Sequence, residues 1–342
     1  MTTSLIREPV LSVRDLRVAF DMGTSYLHAV NGVSYDLGRR ETLGIVGESG
    51  SGKSVHAMTL LRMLPEPPMR ILSGSVYLQG QDLLKMRQRE LRDVRGRRIS
   101  YIFQDPLTSL NPLLTIGMQI GEVMERHFGS SRAEALKRAE ELLDMVRISD
   151  PKRRLGQYPH EFSGGMRQRV MIAIALACKP DVVIADEPTT ALDVTIQAEV
   201  VALMKELQRE LGMSMIWITH DLGVVAGIAD TVQVMYAGRI VERGPIQAVF
   251  SNPRNAYTAG LLRAARFDGE PGSKGRLAAI PGQPPDMRNP PPGDAFAPRN
   301  PYATERCRVE APVLTQVSGG ADGHLVAAWY DLPTDAWLED VK

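Results

Sequence analysis

Gly47-Glu48-Ser49-Gly50-Ser51-Gly52-Lys53-Ser54 fits the pattern G-x-x-x-x-G-K-[ST]. An apolar run, Thr42 to Val46, precedes it. Val55 to Leu64, with apolar residues at helical spacing, follows. Strand, loop and helix in that order are the context in which such a loop holds phosphate. Glycines let backbone N–H groups close round the oxygens, at a helix N-terminus whose partial positive charge favours anions. Lys53 would reach the β- and γ-phosphates, and the Ser54 hydroxyl would ligate Mg²⁺. The plain alternative is a Gly/Ser turn that happens to carry a lysine. The flanking pattern argues against it.

The rest of the chain reads outward from this loop. Leu11–Phe20 and Ala29–Leu37 alternate apolar with polar residues and predict an antiparallel β layer. The helix after the loop is expected to end near Leu64, where Pro65, Pro67 and Pro68 cannot continue it. Short strands fit Gly74–Leu78 and Ile99–Phe103. From Thr108 to about Ala177 the pattern is mainly helical, with Ser130-Ser131 able to cap a helix carrying Leu136, Ala139, Leu142, Leu143 and Val146 on one face. Apolar strands return at Asp181–Ala185 and Ser214–Ile218, separated by a helix over Val194–Leu211, which indicates a parallel sheet in an α/β core. Thr231–Met235 and Arg239–Arg243 read as a closing hairpin through Ala237-Gly238. After Arg266 prolines accumulate, and an extended, loop-rich tail is expected.

Composition sets broad limits. A chain of 342 residues, 44% hydrophobic and 23% charged, can bury a sizeable core. The net charge is zero, which argues against a nucleic-acid partner. The longest apolar run, Val170–Cys178, is about half the ~20 residues a membrane-spanning helix needs. The first residues lack an apolar signal core. Two cysteines, Cys178 and Cys307, cannot make a disulfide framework and fit a reducing cytoplasm.

A second constellation completes the loop. The strand Val182–Ala185 runs into Asp186-Glu187. In phosphate-loop NTPases the first such carboxylate holds Mg²⁺, which assigns Asp186. Neighbouring strand residues face opposite ways, so Glu187 cannot share that role directly, but as the strand ends it can turn toward an attacking water and act as general base or water-polarising group. Taken alone, the pair is more often a solvated strand end; its place beside the phosphate loop argues against that.

Phe162-Ser163-Gly164-Gly165-Met166-Arg167-Gln168-Arg169 resembles the signature motif of ABC ATPases. Tyr101-Ile102-Phe103-Gln104, Thr190-Ala191-Leu192-Asp193 and Ile218-Thr219-His220-Asp221 complete that family's motif set in its order. The resemblance covers Leu11 to about Gly244. It implies an ABC-type P-loop NTPase fold with an antiparallel β layer, a parallel-sheet core, a helical subdomain (about 108–177) and a proline-rich C-terminal extension. It divides the chain into a nucleotide-binding domain (1–265) and that extension (266–342). It implies Gln104 near Mg²⁺ and water, Asp193 as the D-loop residue, and His220 as the switch histidine near the γ-phosphate. An aromatic that stacks on adenine falls at Phe20, with Tyr26 a second candidate. By pattern alone Phe20 serves equally as a core residue.

The signature also has a physical reading, since Ser163-Gly164-Gly165 opens a helix running on to Ala177 and makes a second anion-binding N-terminus. In the family, two nucleotide-binding domains pair head to tail, and each signature (here Ser163, Gly164, Gly165 and Met166) closes on its partner's loop. The usual signature carries Gln where Met166 stands. The Met-Arg-Gln-Arg ending is similar to the D-type ATP-binding subunit of dipeptide and oligopeptide importers. Asp105–Pro112, Ala256–Leu262, Ile280–Pro285 and Phe296–Arg299 extend the likeness to the peptide/nickel importer subfamily. That implies a peripheral ATPase on the cytoplasmic face of the membrane. Its partners would be a second ABC ATPase subunit, expected to be a paralogue, two permease subunits and an extracytoplasmic substrate-binding protein. The cargo would be short peptides, with nickel, glutathione or another solute as alternative. A soluble, non-transport ABC protein is a weaker one. Some members hold an iron–sulfur cluster in this tail, but Asp294 and Asn300 stand where cysteines are expected and only Cys307 is left. No cluster is therefore expected, because one needs several thiolates.

Overall fold

A computed structural model describes residues 8–190, 192–265 and 279–332. Ala191 of the expected D-loop motif and parts of the expected 266–342 extension lie outside these residues. The strands are β1 (Leu11–Asp21), β2 (Tyr26–Leu37), β3 (Thr42–Val46), β4 (Met69–Leu78), β5 (Gln81–Asp82), β6 (Ile99–Ile102), β7 (Val182–Asp186), β8 (Ser214–Ile218), β9 (Thr231–Tyr236), β10 (Arg239–Pro245), β11 (Thr315–Gln316) and β12 (Leu325–Val326). The α-helices are α1 (Lys53–Leu60), α2 (Gln88–Val94), α3 (Pro106–Ser109), α4 (Ile116–Phe128), α5 (Arg132–Met145), α6 (Pro151–Arg154), α7 (Gly164–Leu176), α8 (Val194–Leu211), α9 (Leu222–Ile228), α10 (Ile246–Ser251), α11 (Ala256–Ala265) and α12 (Glu305–Val309).

The chain folds as two compact units. The first comprises the described residues up to Leu11, Leu37–Thr42 and Leu78–Ile218. Its strands β6, β7 and β8 are parallel, with Tyr101 opposite Ile184 and Asp186 opposite Ile218. Every residue of β7 and β8 is buried, so these strands read as continuous apolar runs rather than alternations. Helix α5 starts at a capping box in which Ser131 and Glu134 satisfy each other's backbone N–H groups. Its buried face is Ala135, Ala139, Leu142 and Leu143, while Leu136 lies half-buried beside Gly117 of α4.

The second unit comprises Ser12–Asp36, Leu43–Tyr77 and the described residues from Thr219 onward. One layer is β2-β1-β4, antiparallel, with Ser12 bonded to Asp36 and Asp15 to Ser34. The other runs β11-β12-β10-β9-β3. Here β3 lies parallel to β9 with Val46 opposite Val234, and β9 and β10 form the expected hairpin. The α/β architecture read from the sequence is what forms, with differences of extent and two added strands. Helix α1 stops at Leu60, four residues early, because Arg62 turns left-handed at φ 48° before the prolines are reached. Strand β4 begins at Met69 rather than Gly74. Gly74 is no turn: a Cβ there would stand 2.6 Å from Leu16 Cα and 2.8 Å from the carbonyls of Arg14 and Asp15, so the glycine admits close passage of β1. Within the tail expected to be loop-rich, Thr315–Gln316 and Leu325–Val326 form β11 and β12, and β12 pairs with β10 at Glu242 and Arg243.

Candidate functional site

The phosphate loop leaves β3 at Val46 and is shaped by backbone that only glycine tolerates. Gly47 has φ 152° and Gly52 φ 96°. A Cβ would come within 2.2 Å of the Met235 carbonyl at the first and 2.3 Å of the Ala29 carbonyl at the second. Lys53 opens α1 and is 5% exposed. Its ammonium donates to the carbonyls of Gly47 at 2.8 Å and Glu48 at 3.0 Å, with Ser51 Oγ at 3.5 Å. Ser51 is pinned by the Gly238 N–H at 3.0 Å. Ser49 and Gly50 are exposed, while Ser54 and Val55 are half-buried on the first turn of α1. A buried ammonium curled inside a glycine loop, open at its tip, fits a polyphosphate. In the same unit Thr219 N–H donates to the Ile45 carbonyl at 3.2 Å, which seats the exposed His220 beyond the end of β3. Asp221 then caps α9, accepting from Gly223 and Val224.

The acidic pair lies in the first unit. Asp186, 3% exposed at the end of β7, accepts from the Tyr101 hydroxyl at 2.7 Å. Burial, with the Asp186 charge beside it, raises the Tyr101 pKa far above its ordinary value, so the phenol remains a donor to that carboxylate. Glu187 does turn as the strand ends: its φ is 47°, and its N–H donates to the Ile218 carbonyl at 2.8 Å. Gln104 Nε2 at 3.0 Å and Thr190 Oγ1 at 2.9 Å both donate to Glu187 Oε2. The structure thus brings Gln104, Asp186 and Glu187 together with Tyr101 and Thr190, which the motif reading had not assigned roles. The signal for both was their place inside the quoted motifs.

Ser163 caps α7, its hydroxyl accepting from the Met166 N–H. Ser163 and Gly164 are exposed, and Gly165 and Met166 half-buried. The two glycines differ in kind. A Cβ on Gly165 would stand 2.7 Å from Ile196 Cγ2 of α8, whereas one on Gly164 would meet only Leu192 at 3.9 Å. Gly165 therefore serves helix packing and Gly164 leaves an open face. Asp193 caps α8 through the Ile196 N–H at 3.0 Å, and Val194 beside it is 83% exposed.

Of the adenine candidates, Phe20 is half-buried on β1, and Tyr26 is exposed at the start of β2 with the Arg70 guanidinium 5.8 Å from its ring centre. In the C-terminal region Asp294 and Asn300 are both 7% exposed, and burial raises the Asp294 carboxyl above its usual range. Cys307 is buried with Thr304 Oγ1 3.3 Å from its sulfur. Among the described residues no group of three or more His, Cys, Asp or Glu side chains could hold a metal ion. The Ser54 hydroxyl and the Asp186 carboxylate are hard oxygen donors, the kind a Mg²⁺ ion takes. No helix of the described residues is long and apolar enough to cross a membrane. One residue that sequence reasoning left without a role, Arg299, grips the phosphate loop through Glu48.

Comparison with known proteins agrees with the motif set. The ABC transporter family model matches residues 30–190, and the model of the oligopeptide/dipeptide transporter C-terminal region matches residues 241–307. The chain is 50% identical over 320 residues to the oligopeptide transport ATP-binding protein OppD of Bacillus subtilis, covering 94% of this chain and 88% of that one. It is 49% identical, with 94% of each chain covered, to a probable peptide ABC transporter ATP-binding protein of Sinorhizobium fredii. Among solved structures, an ATP-binding cassette dimer in a post-hydrolysis state with ADP and Pi superposes with TM-score 0.62 at 28% identity, covering 69% of this chain and 98% of that one. Likeness of this extent, running through both the cassette and the region that follows it, makes the chain a member of the ABC transporter ATP-binding proteins, in their oligopeptide/dipeptide branch.

Proposed function

We propose that this chain binds and hydrolyses ATP to drive import of di- and oligopeptides through a membrane permease. The observation that carries the reading is the joint match of cassette and oligopeptide-type C-terminal region, supported by a Lys53 ammonium held inside a glycine loop suited to phosphate. The ATPase domain is residues 1–265, with its helical part at about 108–177, and 266–342 is the importer-type extension. Lys53 and the loop amides of Gly47–Val55 take the phosphates, and an aromatic at Phe20 or Tyr26 takes the adenine. Ser54 and Asp186, with Gln104, supply the ligands for Mg²⁺, which neutralises phosphate charge when bound. Glu187 orients the attacking water and accepts its proton, and His220 contacts the γ-phosphate. Ser163–Met166 and Asp193 serve the nucleotide of a second ATPase subunit. The remaining partners are two permease subunits and an extracytoplasmic binding protein, at the cytoplasmic membrane face. No iron–sulfur cluster is held, since Cys307 is the one thiol of the extension.

The test is turnover as a function of assembly. The purified chain is expected to bind ATP yet hydrolyse it slowly, with specific activity rising with concentration or with an added partner ATPase. In vesicles carrying the permease pair, a peptide-loaded binding protein should stimulate hydrolysis further, whereas nickel or glutathione should not. Specific activity independent of concentration and partner counts against the shared site. Stimulation by nickel alone counts against peptide as cargo.

A further inference from the structure

Glu48 occupies a variable position of the phosphate loop, and nothing in the proposed chemistry uses its side chain. The folded chain nonetheless holds it at both ends. Its backbone N–H donates to the Tyr257 hydroxyl at 2.7 Å. Its carboxylate receives a two-pronged bond from Arg299, Nη1 to Oε2 at 2.8 Å and Nη2 to Oε1 at 3.0 Å. Between these anchors lies the Glu48 carbonyl, one of the two that take the Lys53 ammonium. We infer that Arg299, 251 residues along the chain, is a positioning residue for the phosphate loop: through Glu48 it fixes the peptide that orients Lys53.

Arg299 is itself immobilised, as that role requires. Nε donates to the Pro281 carbonyl at 2.8 Å, Nη2 to that of Ile280 at 3.2 Å, and Nη1 to the Tyr236 hydroxyl at 3.1 Å. Its guanidinium lies 5.7 Å from the Tyr236 ring centre and 5.6 Å from that of Phe296. The side chain is 5% exposed, against 26% for Glu48. Pro284, Pro285 and Met287 from the same region line a cavity of about 30 Å³ together with Glu48–Ser51. A group that must hold its geometry to a fraction of an ångström needs neighbours with locked rotamers, and the C-terminal region supplies them. An extension outside the ATPase motifs thus sets the affinity of the loop for nucleotide.

The inference rests on reading this loop as the ATP site, and the measurement separates the two. ADP affinity of the full chain is titrated for wild type, Arg299→Ala, Glu48→Gln, the double variant and Arg299→Lys, with Lys53→Ala as control. Arg299→Ala and Glu48→Gln should each weaken ADP binding about tenfold, in the range seen for contacting residues, with the double variant no worse than either. KM for ATP should rise in step while kcat at saturation changes little. Arg299→Lys should recover part of the loss, since it keeps the charge without the fork. A lowered melting temperature with unchanged ADP affinity, or losses that add in the double variant, overturns the inference. If Arg299→Ala fails to fold, Glu48→Gln decides alone, because it leaves Arg299 its other partners. Unimpaired ADP binding by Lys53→Ala would instead reject the ATP reading of the loop.

Discussion

Glu187 shows how a single residue joins chemistry to backbone geometry. Its left-handed φ of 47° costs an L-residue about 1–2 kcal/mol relative to the right-handed region, and it is what swings the carboxylate out of the β7 alternation towards Gln104 and Thr190. Two consequences separate. Glu187→Gln keeps the backbone and the Thr190 contact but loses the proposed base, so turnover should fall ~10²–10⁴-fold with nucleotide binding retained. Glu187→Gly should be more stable than Glu187→Ala by about 1 kcal/mol in denaturant melts, because only glycine adopts that φ without strain. Equal melts for the two, or near wild-type hydrolysis by Glu187→Gln, contradict the assignment. At this scale the sequence was informative wherever chemistry rests on local order. Lys53, Asp186 and Glu187 stand out because a short motif fixes their surroundings. Tyr101 did not, because its partner Asp186 is a strand away.

At the scale of elements, α1 is tied to β2 through a fully buried histidine. His56 Nε2 lies 3.1 Å from the Tyr35 hydroxyl, and its Nδ1 is buried without a hydrogen-bond partner. Burial lowers its pKa to about 4 from the ordinary 6.5, so the folded chain keeps the ring neutral where the unfolded chain protonates it. Because the folded pKa is the lower one, the unfolded state binds the extra proton between those values. This contribution to stability is complete above pH 6.5 and declines as pH falls towards 4, by about 3 kcal/mol over the whole window. Chemical denaturation of wild type and His56→Leu at a series of pH values should show the slope flattened in the variant, and an unchanged slope would refute the linkage. Periodicity located β7, β8 and α8 because each is long or apolar enough to declare its type. It missed the half of β4 before Gly74, a glycine that lets β1 pass closely, and it missed β11 and β12, which are two residues each.

At the scale of the whole molecule, the C-terminal region is built into a core rather than appended to it. Tyr236, Tyr257 and Phe296 pack tilted and edge-to-face with ring centres 4.6 to 5.3 Å apart, in a buried cluster that also takes in Val46 at the end of β3. Phe296→Ala should therefore cost about 3–5 kcal/mol in equilibrium unfolding, while Val313→Ala, at a position 64% exposed, stays within about 0.5 kcal/mol. A cost for Phe296→Ala as small as that for Val313→Ala would make the region a tethered tail. By itself the sequence determined the α/β class, the phosphate loop and the acidic pair, because each depends on residues close together in the chain, where spacing translates directly into geometry. The partners that meet the turned Glu187, Gln104 and Thr190, the packing role of Gly165 as against the open Gly164, and the grip of Arg299 on Glu48 were decided only by the tertiary structure, because each depends on which distant backbone or side chain arrives at that point. No periodicity records such contacts.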